Sequence, residues 1–188
     1  MDPAAQYALA YALTTSAGVR ALVPLVAVSF AAHLGYIHPP EQIGWLGSTT
    51  VTAILVAVAL AEIFADKIPL VDHALHFVQV ATKPAAGAIL VAGVAHPQNR
   101  DVLIGLMVLG ALNALGIHAV TSSIRLGSTA ATAGLGNPIL STTEDVAAVG
   151  TTLLAFVAPF AAAVIALLLV FLLARLLRAV YRRTRQAH

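Results

Sequence analysis

The sequence predicts an all-α fold: a polytopic transmembrane helix bundle of about six spans, with one or more broken or re-entrant helices. Three observations carry that prediction. No charged side chain occurs in the twenty-nine positions from Val146 to Ala174, a run longer than the ~20 residues that cross a bilayer, and Arg175, Arg178, Arg182, Arg183 and Arg185 follow it. Hydrophobic residues make up 60% of the chain and charged residues 10%, with mean hydropathy +0.91, too little polar side chain to cover a soluble domain. The remaining charges lie mostly inside other apolar stretches, where hydration does not account for them.

The first apolar segment runs from Pro3 to Leu34 behind Asp2, with no basic region and no cleavage site, so it reads as a retained span. As one helix it would reach ~48 Å, beyond the ~30 Å hydrocarbon core, and a break near Gly18 to Pro24 resolves the mismatch. A polar connection, Gly35 to Gly44, leads to Trp45, an interfacial anchor at the start of a second span ending near Asp66. Ala57, Ala61 and Ala65 repeat every four positions there, the small-residue spacing that lets helices approach in lipid. The third segment, Pro69 to Ala95, carries Asp72, His73, His76, Gln79 and Lys83 in its first half and Pro84 in its middle, a pattern for a discontinuous helix. After a turn at His96 to Asp101, Val102 to Ile124 is a charge-free span closed by Arg125. Leu126 to Thr143 is rich in Gly, Ser, Thr and Ala and is expected to be a loop or re-entrant piece. Ser141 to Glu144 fits an S-x-x-E capping box that would open the next helix, and a hairpin turn near Pro159 would split the long stretch that follows.

These elements make a single transmembrane domain over residues 1–174 and a basic cytoplasmic tail over 175–188. The arginine cluster places the C-terminus in the cytoplasm of a multi-pass protein of the cell inner (plasma) membrane, and six spans put the N-terminus, the Lys67 turn and the Arg125 loop on the same side. If the first segment crosses twice, the N-terminus moves outside. An Arg followed by an acidic pair recurs in each half, a faint internal symmetry compatible with an inverted repeat. The five tail arginines are a membrane-surface signal that suits anionic lipid headgroups; nucleic acid is not expected as a partner, and association into a homo-oligomer stays open. With no cysteine, disulfides and thiolate metal sites are excluded, and the redox compartment stays undetermined.

Function is sought among the charges that membrane topology does not explain. Glu62 and Asp66 stand one helical turn apart and share a face, so in a low-dielectric site they should share a proton or cation, or be offset by Lys67; the plainer reading has Asp66 and Lys67 solvated at the boundary. Asp72, His73 and His76 form D-H-x-x-H, with the imidazoles at i and i+3. That spacing can ligate a metal only if Glu62 or Asp66 adds a further ligand; interfacial hydrogen bonding and proton relay are the alternatives. Arg20 lies inside an apolar segment and should pair with a carboxylate, Glu62, Glu144 or Asp145, or bind an anion. Glu144 and Asp145 also serve as favourable charges at a helix start. His118 and Asn113 read as interhelical hydrogen-bond glue or as site residues, and Lys83 as a snorkelling or secondary site residue.

Ser16, Gly18, Arg20 and Pro24, then Trp45-Leu46-Gly47, Glu62, Asp66-Lys67, Pro69 and Asp72, then Lys83-Pro84, Ala86-Gly87, His118 and Glu144-Asp145 together form a pattern along nearly the whole chain. It resembles an uncharacterised family of small prokaryotic integral membrane proteins, a domain of unknown function. The E-x-x-x-D-K-x-P-x-x-D string is its most specific part, and His76 departs from the acidic residue common at that position. The resemblance implies membership and no activity. Glu62 to Lys67 is also similar to the E-x-G-D-K/R motif of small cation and proton exchangers, but here Ala65 replaces the glycine and the carboxylates are four apart. One residue of slip turns a side chain by ~100°.

The residues therefore point to a small ion- or proton-coupled membrane transporter or permease, with an ion or solute site among Arg20, Glu62, Asp66, Lys67, Asp72, Glu144 and Asp145, and His73, His76, His118 and Lys83 as secondary members. The alternative is a lipid-handling or membrane-assembly protein without transport. No Ser/His/Asp arrangement supports an enzyme, and no cofactor is implied.

Overall fold

The structure, a computed structural model, describes residues 1–65 and 69–186, with side chains described at 1–65, 77–172, 175 and 178. Seven helices and one 3-10 turn make up the described residues: α1 Pro3–Val19, α2 Leu22–His33, the 3-10 turn Glu41–Gly47, α3 Thr49–Ala65, α4 Pro69–Val94, α5 Arg100–Thr132, α6 Asn137–Val157 and α7 Pro159–Gln186.

The first apolar segment breaks at Arg20, inside the expected window. Pro24 has no N–H for the carbonyl four residues earlier, and its ring would clash with that carbonyl, which belongs to Arg20. Arg20 accordingly turns extended, at φ −137° and ψ 105°, while its own N–H still closes α1 on the Ser16 carbonyl. α2 then leads back to the 3-10 turn, which is pinned when Ser29 Oγ donates to the Leu46 carbonyl and shares a 2.8 Å hydrogen bond with Thr52 Oγ1. Trp45 stands in this turn, and the axis bends by 63° into α3.

Four expectations are corrected. The third segment is one helix through Pro84: the proline removes a single hydrogen bond, and burial of Ala86, Leu90, Val91 and Val94 offsets that loss. The polar stretch Leu126 to Thr143 is for the most part helical: it forms the last turns of α5 to Thr132, a short turn over 133–136 and the start of α6. Its hydroxyls in α5 bond back within the helix, Thr129 to Arg125 and Thr132 to Ser128, as Ser123 does to Ala119 just before it. Left-handed Ala133 and Gly134, φ 52° and 88°, end α5. Ser141 is not a cap, because α6 begins at Asn137 with Pro138 in its first turn, and Ser141 lies a turn inside. The Ala57, Ala61, Ala65 stripe is not the close contact either, since Ala57 and Ala61 are exposed. Glycines make that contact: a Cβ on Gly87 would meet the Gly110 carbonyl oxygen at 2.5 Å, and one on Gly18 would meet Ile117 Cβ at 2.4 Å, so α4 and α1 both sit directly on α5.

A break does occur beside Pro159, at Ala158, and α7 continues without interruption through the basic tail to Gln186. α1 is the hub, packing against α4, α5, α6 and α7 and buried nearly all round. Leu9, Leu13, Ala17, Val28, Leu90, Ala114, Ala155 and Ala162 fill the core. The outer faces are apolar: Phe64, Phe77, Leu109, Val157 and Phe171 are each more than half exposed, while Arg20, Lys83 and His118 are buried. This inversion of the soluble pattern is what a lipid surround stabilises.

Among the described residues two helices, α4 over Phe77–Val94 and α5, are long and apolar enough to cross a membrane, or three if the bent 3-10/α3 pair is one span. That is fewer than the about six expected, and the break at Arg20 leaves Leu22–His33 below spanning length. These apolar helices point to a membrane protein.

Candidate functional site

The buried charges converge where α4, α5 and α6 meet beneath the break in α1–α2. Arg20, 1% exposed, turns into the bundle there; its Nε lies 2.8 Å from Asp145 Oδ1, and its Nη2 donates to Ser141 Oγ at 2.8 Å. Ser141 and Asp145 are four apart on α6 and so share a face. That face continues as Ala148 and Thr152, where Ser16 Oγ donates to the Ala148 carbonyl at 3.0 Å and bonds Thr152 Oγ1 at 2.8 Å. One polar seam thus joins α1 to α6, and Arg20 anchors its end.

Arg125 on α5 faces the neighbouring carboxylate on α6, donating from Nε to Glu144 Oε1 at 3.3 Å and from Nη2 to Oε2. A planar guanidinium fits two carboxylate oxygens in this way. On α4, Lys83 Nζ lies 3.0 Å from His118 Nδ1 of α5, and both side chains are buried. A charged Lys83 has only donors, and toward it Nδ1 is the acceptor. Gln79, one turn before Lys83, donates from Nε2 to Glu62 Oε1 at 3.1 Å and ties α3 to the cluster. Lys83 lies within electrostatic reach of Glu62, Glu144, Arg20 and Arg125.

A cavity of about 220 Å³ opens beside these groups, lined among others by Gln79, Lys83, His118, Ser122, Arg125 and Asn137. His118, Ser122, Arg125 and Thr129 follow at i, i+4, i+7 and i+11 along α5, one helical face that exists only because α5 does not stop at Ile124. Across the bundle, Asn113 Nδ2 donates to Thr14 and Thr15 Oγ1, both at 2.9 Å, gluing α5 to α1 away from the cavity.

Of the expected site residues, Arg20, Glu62, Glu144 and Asp145 come together around Lys83 and His118, but in separate partnerships. Asp66 and Lys67 lie outside the described residues. Asp72, His73 and His76 fall on the first turns of α4, with side chains outside the described ones, so the D-H-x-x-H motif and the Glu62–Asp66 pair are not placed. Among the described residues no group of three or more His, Cys, Asp or Glu could hold a metal ion. Arg125, Gln79, Ser141 and Asn137 were not anticipated as site residues. Arg125 reads in sequence as the end of a span, and only its heptad spacing from His118 signals a shared face.

A family model described as a domain of unknown function, DUF4126, matches residues 7–179. The chain belongs to the DUF4126 family. Membership agrees with the resemblance carried by Arg20, Glu62, Lys83-Pro84, His118 and Glu144-Asp145, and several of these family-pattern residues turn out to be the buried polar cluster of this DUF4126 bundle. No curated protein and no solved structure matches the chain.

Proposed function

We propose that the chain is a small ion- or proton-coupled transporter or permease of the cell inner (plasma) membrane, multi-pass with a cytoplasmic C-terminus, and without enzymatic activity. The supporting observation is the cavity wall of Lys83, His118 and Arg125 in a bundle whose outer faces are apolar, with Glu62, Glu144 and the Arg20–Asp145 pair close behind. Charges held at membrane depth are costly and mark ion or solute pathways. The break at Arg20 supports the reading, since interrupted helices are how carriers build interior sites. Residues 1–174 form the membrane domain, with α2 and α7 completing crossings toward about six spans, and 175–188 the basic tail.

Glu62→Gln tests this reading because it keeps shape and removes the titratable charge. Coupled ion or proton flux in liposomes should collapse while thermal unfolding stays near that of the parent. Retained flux with lowered stability would leave Glu62 as scaffold and sink the coupling role.

A second reading, lipid handling or membrane assembly, draws on two observations. Asp145 and Glu144 are each engaged by an arginine, and an apolar groove along α2 and α6, lined by Phe30, Leu34, Phe156 and Val157 among others, faces outward. Exposed Arg175 and Arg178 on α7 suit anionic headgroups, with Arg182, Arg183 and Arg185 following in the sequence. Flux absent under every ion gradient, together with lipid transfer between vesicles, would favour it.

A further inference from the structure

We propose that the cavity between α4, α5 and the start of α6 binds a small oxyanion, a phosphate or carboxylate, through Lys83 and Arg125. The inference rests on the transport reading only for what happens after binding. The polar part of the described wall is rich in donors. Lys83 and Arg125 bring ammonium and guanidinium groups, Gln79 and Ser122 bring neutral donors, and no carboxylate is among the described lining residues. Two described acids stand behind that wall in fixed roles: Glu62 accepts from Gln79, and Glu144 is held by Arg125 through both oxygens.

Lys83 is the central group. Its contact partner among the described residues is the His118 ring, not a carboxylate, which leaves further ammonium donors for the cavity, and the described acids that act on it stand farther off. A buried cation without a contacting anion is costly, and an oxyanion in the adjoining cavity removes the cost with charge-assisted hydrogen bonds. Asn137 adds a second signal. It stands at the first turn of α6, where N–H groups and the helix dipole favour negative charge. Its Nδ2 donates to Thr129 Oγ1, while its Oδ1 is buried with no hydrogen-bond partner among the described residues. An oxygen so placed calls for a donor, which a hydroxyl-bearing oxyanion such as hydrogen phosphate, or its bound water, supplies. The volume of about 220 Å³ admits one such ion with a few waters.

The same chemistry is offered by a free ion and by the headgroup of an anionic phospholipid, and the test has an arm for each. The purified full chain in a phosphate-free neutral detergent is titrated calorimetrically with inorganic phosphate, with acetate, and separately with short-chain phosphatidylglycerol. Saturable binding of any of the three is expected, weakened at least tenfold by Lys83→Gln and by the charge-neutral pair Arg125→Gln with Glu144→Gln, and largely retained by Lys83→Arg. Binding of the ions with none of the lipid assigns the site to a solute; the reverse assigns it to a headgroup; both support the shared chemistry. No binding of any probe, or binding unchanged in Lys83→Gln, overturns the proposal. Lys83→Arg keeps the test decisive if Lys83→Gln fails to fold, because the arginine variant must then bind. Oxyanion binding without flux would leave this site standing and remove the transporter, whereas proton or cation flux without oxyanion binding would do the opposite.

Discussion

Removing the charge of Asp145 should be among the most damaging single changes in this chain, and the geometry gives its size. Arg20 is 1% exposed, and Asp145 Oδ1 lies 2.8 Å from its Nε, with 15% of the Asp145 side chain exposed. Asp145→Asn keeps an acceptor near Nε but removes the negative charge that faces the buried guanidinium, while Ser141 on the same helix face still accepts from Nη2. Breaking one side of a buried pair costs ~3 to 5 kcal/mol, and the remaining serine and the partial exposure of Asp145 put the expectation near the lower end, ~3 kcal/mol. For a chain of this length that is a fall in apparent melting temperature of roughly 6 to 12 °C. The assay is thermal unfolding in detergent of the parent, Asp145→Asn, Asp145→Leu, Arg20→Met and the double variant Arg20→Met with Asp145→Leu. Because apolar replacement of both partners removes the buried charge as well as the pair, Arg20→Met with Asp145→Leu should recover much of the loss. A melting temperature for Asp145→Asn within about 2 °C of the parent, or purely additive losses in the double variant, would refute the claim that this pair carries the α1–α6 seam.

Two further outcomes follow from the packing. Gly87→Leu must push α4 off α5, since even a Cβ would approach the Gly110 carbonyl oxygen to 2.5 Å; a loss above ~3 kcal/mol or failure to fold is expected, while Gly105→Leu, with nothing within 4 Å, should melt like the parent. Trp45 is 47% exposed at the bend before α3, so in vesicles its fluorescence should be quenched by lipids brominated near the headgroup more than by lipids brominated at the chain ends.

The sequence alone determined the class of this protein, because hydropathy and the placement of charges are one-dimensional properties: an apolar run closed by arginines reads the same before and after folding. It also confined the break to the window Gly18 to Pro24, where the proline withdraws a donor, and it marked Arg20 as needing a carboxylate or an anion. Local rules misled where satisfaction came from within a longer helix. Pro84 and the Ser/Thr stretch after Ile124 looked like interruptions, yet packing on α1 and back-bonding to the preceding turn kept α4 and α5 continuous. Which acid met which base was decided by the tertiary structure alone. Glu144 and Asp145 are adjacent in sequence, so on a helix they diverge by ~100° and reach different cations, Arg125 and Arg20. The Lys83–His118 contact and the cavity beside it depend on the Gly87–Gly110 approach that draws α4 onto α5. Such proximity between residues far apart in the chain has no local signature, because it is set by how closely two backbones pack.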